Sequence, residues 1–231
     1  MNDDAPVSQM KASAPLFQVT NLGKSFAVGD GWKPKQLRAL NEVSFELRAG
    51  EVIAIVGESG SGKSTILKVL SRLEQPTVGT ILFRGEDLLA REPRDASMAY
   101  RREVQMIFQD PFGSLNPLHT VAYHLERPLL RHGRAKKGSD LQRKVLDLLD
   151  TVGLRPAEEF AAKYPHMMSG GQRQRVAIAR ALAVGPSVIL ADEPISMLDV
   201  SIRMGILNLM DELKRERGIG YLYVTHDIAS A

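Results

Sequence analysis

Gly57-Glu58-Ser59-Gly60-Ser61-Gly62-Lys63-Ser64-Thr65 sets three glycines beside a lysine and several hydroxyls. It follows the apolar run Val52 to Val56 and leads into the helix-like Ile66 to Leu70, the strand, turn and helix order of a phosphate-binding loop. Glycines let the backbone curl until several N–H groups point inward, and the helix start adds its positive end. A polyphosphate fits that concavity. Lys63 would lie along the outer phosphates as a point charge, and the Ser64 hydroxyl would ligate a Mg²⁺ that otherwise keeps water and phosphate oxygens.

Other residues have types suited to the same chemistry. Asp192 and Glu193 close the apolar run Ser187 to Ala191, and paired carboxylates at the carboxyl end of a buried strand stand where open α/β sheets bind ligands. Asp192 suits the Mg²⁺ shell, and Glu193 can polarise water for in-line attack on a phosphate. Gln109 ends the apolar run from Glu103, where it either touches metal or water or is a plain strand-end amide. His226 follows Tyr221 to Val224 and either donates to a phosphate oxygen or is a satisfied packing residue. Phe26 stacks on a base or lies in the core. Ser169 is a natural N-cap, but a cap does not account for Gly170 and Gly171, since each helical glycine costs about 1 kcal/mol against alanine. Paired glycines there imply close approach of something, and their N–H groups are bare for an anion.

Composition narrows the classes. The 231 residues can bury a full core, with 44% hydrophobic and 25% charged residues as in ordinary globular domains. No apolar run approaches the roughly 20 residues of a membrane-spanning helix, so any membrane passage belongs to another chain. Cysteine is absent, which excludes disulfides and thiolate metal sites. A net charge of +3 with dispersed basic residues gives no reason to expect nucleic acid. The histidines at 119, 124, 132 and 166 show no metal-ligand spacing.

The elements that must hold these residues alternate in type. Residues 1–15 read as a flexible tail. Leu16 to Val19 opens a strand, Gly29 to Lys35 with Trp32 reads as a loop, and Leu37 to Leu47 supplies further strand. Gly79 to Arg84 and Glu103 to Phe108 read as strands, the second buried. From about 112 to 183 the pattern turns helical, with Leu141, Val145, Leu148 and Leu149 on one face and Gly153 at a helix end. Arg131 to Lys137 reads as a solvated loop. A later helix carries Ile202, Ile206, Leu209, Met210 and Leu213 and stops near Gly218. The expected fold is α/β, with a buried strand of the parallel kind at Ser187 to Ala191 and a helical insertion, within one domain over 16–231.

Taken in order, these residues resemble the ATP-binding subunits of ABC transporters from about Phe17 to Asp227. The likeness is carried by the loop Gly57 to Thr65, Gln109, the signature Ser169-Gly170-Gly171-Gln172, Asp192-Glu193, the loop Ser196-Met197-Leu198-Asp199, and His226. Phe108 to Pro117, Tyr164-Pro165-His166 and Asp199-Val200-Ser201 are similar to the oligopeptide, dipeptide and nickel importer branch. That branch also has an insertion around Gly29 to Lys35 and an aromatic at Phe26, which favours base stacking there.

The resemblance implies an α/β fold made of a P-loop core with a mainly parallel sheet, an antiparallel N-terminal β subdomain and an inserted α-helical subdomain, and an ATPase driving import of peptides or similar solutes, peripheral on the cytoplasmic face of the membrane. Its implied partners are a second ATP-binding subunit, transmembrane permease subunits and, indirectly, a solute-binding protein. ATP and Mg²⁺ are the implied cofactors. Two subunits would trap nucleotide head to tail, each phosphate loop facing Ser169 to Gln172 and Asp199 of the other. Glu193 would activate water, Gln109 and His226 would sense the γ-phosphate, and the segment after Gln109 would meet the permease. Met168, Ile195 and Met197 depart from the common leucine, threonine and alanine. Relatives continue beyond the equivalent of Ala231, so a truncated product is expected; a catalytically silent regulatory subunit and a cassette working away from membranes are the competing readings.

Overall fold

The computed structural model describes residues 14–29 and 35–227. Most of the expected N-terminal tail and the loop around Trp32 lie outside the described residues. In chain order the elements are β1 (Phe17–Val28), β2 (Lys35–Leu47), β3 (Val52–Val56), α1 (Lys63–Leu70), β4 (Val78–Phe83), β5 (Glu86–Asp87), α2 (Leu88–Arg91) and α3 (Met98–Glu103). There follow β6 (Val104–Ile107), α4 (Pro111–Ser114), α5 (Val121–Arg131), α6 (Ser139–Thr151), α7 (Ala157–Ala162), α8 (Gly170–Leu182), β7 (Val188–Asp192), α9 (Val200–Arg217) and β8 (Gly220–Thr225).

The strands form two sheets: antiparallel β2-β1-β4-β5 and parallel β3-β8-β7-β6. Alternation along β7 and β8 feeds two cores. Val188, Leu190, Leu222 and Val224 face α1 and the antiparallel sheet, against Phe17, Phe83 and Leu67. Ile189, Ala191, Tyr221 and Tyr223 face the helices between β6 and β8. The parallel sheet is therefore covered on both sides through β7 and β8, as a crossover-connected sheet requires. At the edge, β3 differs: Ile53 and Ile55 pack inward, while Val52 and Val56 are 51% and 40% exposed.

Register brings the loops together. Val56 pairs with Thr225, Asp192 with Val224 and Ile107 with Ala191, so the parallel strands end on one edge. Gly57, Glu193, His226 and Gln109 all leave the sheet there. Nothing local to any one strand dictates that meeting; parallel pairing does.

Several local expectations need correction. Phe108 is 44% exposed, so the buried strand stops at Ile107. The run Arg131 to Lys137 is not simply a solvated loop: Arg131 ends α5, Arg134 is half-buried and its carbonyl accepts from Lys144 Nζ. Helices α2 and α3 escape a periodicity reading because they are too short to show one. Both are capped locally: Asp87 accepts from the N–H groups of Leu89 and Ala90, and Ser97 Oγ accepts from Tyr100 N–H.

Candidate functional site

The turn between β3 and α1 forms one wall of a cleft of about 610 Å³, lined among others by Phe26, Leu37, Lys63, Gln109, Glu193 and His226. Gly62 is the tightest point of that wall. Its φ is +93°, and a Cβ there would lie 2.2 Å from the Ala39 carbonyl oxygen, so a side chain is excluded by conformation and by space. Gly62 also caps α1 with no side-chain hydrogen bond, and no acid stands in the helix's first turn. The amide end of α1 thus faces the cleft.

Lys63 is only 6% exposed, and its ammonium donates to the carbonyls of Gly57 at 2.8 Å and Glu58 at 2.6 Å. The lysine thereby braces the turn it belongs to. Ser64 Oγ donates to Asp192 Oδ1 at 2.9 Å, bridging α1 to the end of β7. Burial pushes the Asp192 carboxyl above the ordinary carboxylate range; the Ser64 hydrogen bond opposes the shift and the Glu193 charge adds to it.

A hydroxyl and a carboxylate at the mouth of a phosphate-shaped turn are hard oxygen donors that fit Mg²⁺. Among the described residues no group of three or more His, Cys, Asp or Glu gathers to hold a metal alone.

Glu193 adopts a φ of +43°, a conformation costing a non-glycine residue about 1–3 kcal/mol. Three hydrogen bonds hold it: its N–H donates to Val224 O at 3.0 Å, and its carbonyl accepts from Ser196 N–H at 3.2 Å and Ser196 Oγ at 3.0 Å. The strained backbone aims the carboxylate into the cleft. There Oε2 accepts from Gln109 Nε2 at 3.1 Å and from His226 Nδ1 at 3.0 Å. A carboxylate can only accept, so Nδ1 carries the imidazole proton.

Phe26 lies opposite Leu37 across the β1–β2 pairing. Lys24 Nζ stands 4.6 Å from the Phe26 ring centroid and is anchored by Glu74 at 3.1 Å and the Gln75 carbonyl at 2.8 Å. Leu37 was not anticipated as a site residue: it reaches the cleft beside Phe26 through a cross-strand register that is invisible in one sequence.

Ser169, Gly170, Gly171, Gln172 and Asp199 do not line this cleft. Ser169 is exposed and forms a reciprocal capping box with Gln172: Ser169 N–H donates to Gln172 Oε1 at 3.0 Å, and Gln172 N–H to Ser169 Oγ at 3.3 Å. The glycines answer first to the chain's own loop before α9 and to the first turn of that helix. A Cβ on Gly171 would lie 2.4 Å from Ile202 Cγ2, and one on Gly170 would lie 3.3 Å from Leu198 Cδ2. The close approach inferred from paired glycines is therefore made by Leu198 and Ile202 within the same molecule.

A parallel sheet beside an antiparallel one, with a glycine turn, a Ser64–Asp192 bridge and a carboxylate at one strand edge, defines a nucleotide-binding cassette. The chain belongs to the ABC transporter family, whose model matches residues 40–196. It is 42% identical over 224 residues to the dipeptide transport ATP-binding protein DppF of Haemophilus influenzae, covering 96% of this chain and 67% of that one. It is 45% identical over 214 residues to the oligopeptide transport ATP-binding protein OppF of Bacillus subtilis, covering 93% and 68%. The chain thus spans about two thirds of the length of these curated relatives. Among solved structures, the ATP-binding cassette MJ0796, dimeric and bound to ADP and Pi, is similar with a TM-score of 0.78 at 35% identity, covering 93% of this chain and 90% of that one.

Proposed function

We propose that this chain is the ATP-hydrolysing subunit of an importer for peptides or similar small solutes, acting with a second cassette and a membrane permease. The observation that carries the reading is the convergence of the α1 amide end, Lys63, the Ser64–Asp192 bridge and the Glu193 carboxylate on one cleft. The peptide-transport names of the relatives support the cargo class.

Binding starts from a braced loop. A triphosphate entering the turn offers Lys63 stronger acceptors than the Gly57 and Glu58 carbonyls, and the inward N–H groups take the inner phosphates. Ser64 and Asp192 would hold Mg²⁺, which supplies neutralising charge to the phosphate oxygens when bound. Glu193 accepts the proton of the attacking water, while Gln109 and His226, already donating to it, orient the carboxylate and reach the terminal phosphate. Phe26 and Leu37 offer the base an apolar seat.

The second cassette covers the exposed signature turn. Met197, Val200 and Met204 are 56%, 75% and 55% exposed around the start of α9, an apolar stripe suited to a protein partner. Ser169 to Gln172 and Asp199 then serve the partner's nucleotide rather than their own, which fits their standing outside the chain's own cleft. A separate cleft of about 520 Å³ beside Gln109, with exposed Leu73, Met98 and Phe108, is where the permease docks. No helix among the described residues is long and apolar enough to cross a membrane. Passage is assigned to the permease, and this chain to the cytoplasmic face. Phosphate release from ATP, with and without Mg²⁺, tests the reading; no turnover above buffer with Mg²⁺ present would overturn it.

A further inference from the structure

Arg203, in the first turns of α9, does not line the cleft, yet its guanidinium joins the two segments that flank Glu193. Nε donates to Leu198 O at 2.7 Å and Nη2 to Ser196 O at 3.4 Å, while Nη1 lies 3.9 Å from Asp227 Oδ2. Each partner has a further tie. Ser196 holds the Glu193 carbonyl through its hydroxyl at 3.0 Å. Asp227 N–H donates to Thr225 Oγ1 at 3.0 Å, closing the turn that presents His226. His226 Nδ1 meets Glu193 Oε2 at 3.0 Å, so the contacts close a ring around the strained Glu193. The same loop touches the signature turn, where Leu198 Cδ2 sits against Gly170.

The geometry points to Arg203 as a positioning residue that locks the 196–199 loop to the His226 turn, so that a partner pressing on that loop resets the donors around the Glu193 carboxylate. The inference rests on the ATPase reading above. A planar fork with several fixed donors suits two backbone carbonyls and a carboxylate at once, whereas an ammonium is a point charge without that geometry. Losing the fork also leaves partly buried carbonyls unpaired.

Arg203→Met keeps the length of the stem and removes the fork; Arg203→Lys keeps the charge. In the full chain, Arg203→Met is expected to lower kcat for ATP about ten-fold with KM within about two-fold, and Arg203→Lys to fall between it and the parent. Asp227→Asn should lower kcat in the parent and add little in Arg203→Met, because both act through one contact. Unchanged kcat, or equal losses in kcat and ATP affinity, overturns the proposal. A second readout needs no turnover: the chain has five histidines, and the His226 ring resonances of the nucleotide-free protein should shift in Arg203→Met by NMR. Unmoved resonances overturn the coupling. If the parent protein hydrolyses no ATP, the ATPase reading fails, and the NMR arm still decides whether Arg203 positions His226.

Discussion

His226 Nδ1 and Gln109 Nε2 converge on the same oxygen of Glu193, Oε2, at 3.0 and 3.1 Å. Two donors on one carboxylate oxygen from segments 84 and 33 residues away tie three strand ends into one unit. The arrangement separates roles that a single sequence cannot: Glu193 is the acceptor, and the other two aim it.

Glu193→Gln removes the acceptor of the water's proton and keeps nearly the same shape. Turnover should fall by about 10²- to 10⁴-fold while ATP binding persists. Phosphate release and equilibrium nucleotide binding measure the two halves, and undiminished release would take Glu193 out of the base role.

Lys63→Ala strips the turn of its internal brace to Gly57 and Glu58 and of its charge toward phosphate. ATP affinity should drop by at least about ten-fold, worth about 1.4 kcal/mol. Titration with a fluorescent ATP analogue reads this directly; an unchanged Kd contradicts the phosphate-loop assignment.

Asp192 has a folded-state pKa raised chiefly by burial. A carboxyl raised on folding favours the protonated state in the native protein, so its contribution is present below the unfolded pKa and is lost as pH rises through the folded one. Asp192→Asn should therefore raise the melting temperature of the nucleotide-free protein at neutral pH, with the gain shrinking as pH falls into the ordinary carboxylate range. The same variant should lose Mg²⁺-dependent turnover. A melting temperature lowered equally at every pH would refute the linkage.

Gly171→Ala places a methyl 2.4 Å from Ile202 Cγ2 and should cost about 1–3 kcal/mol by overpacking. Adding Ile202→Ala should restore much of the stability, read by denaturant unfolding. If the lost stability does not return, the glycine answers to something other than α9.

The chemistry of the cleft was legible in residue types. Gly62, Lys63 and Ser64 announce a phosphate loop because few other combinations curl backbone amides around an anion, and Asp192-Glu193 announces itself because adjacent carboxylates rarely end a buried strand. The strands and the helical insert were also readable, from short apolar or alternating runs and a period-3.6 pattern, but their division into an antiparallel and a parallel sheet came from the resemblance and not from any one run. Less was visible where neighbours are distant in sequence. Leu37 joins Phe26 only through the β1–β2 register, and Leu198 and Ile202, the neighbours that Gly170 and Gly171 admit within the molecule, lie about thirty residues downstream.

By itself, the order of residues determined which groups could bind phosphate, hold a cation and accept a proton, since those properties belong to side-chain chemistry and short-range turn geometry. Only the tertiary structure decided which groups act together. Parallel pairing brings Gly57, Gln109, Glu193 and His226 to one edge, while the signature turn packs against Leu198 and Ile202 and does not line the chain's own cleft. The physical reason is that strand register and helix contacts are long-range choices, settled by burying two cores at once rather than by any local preference.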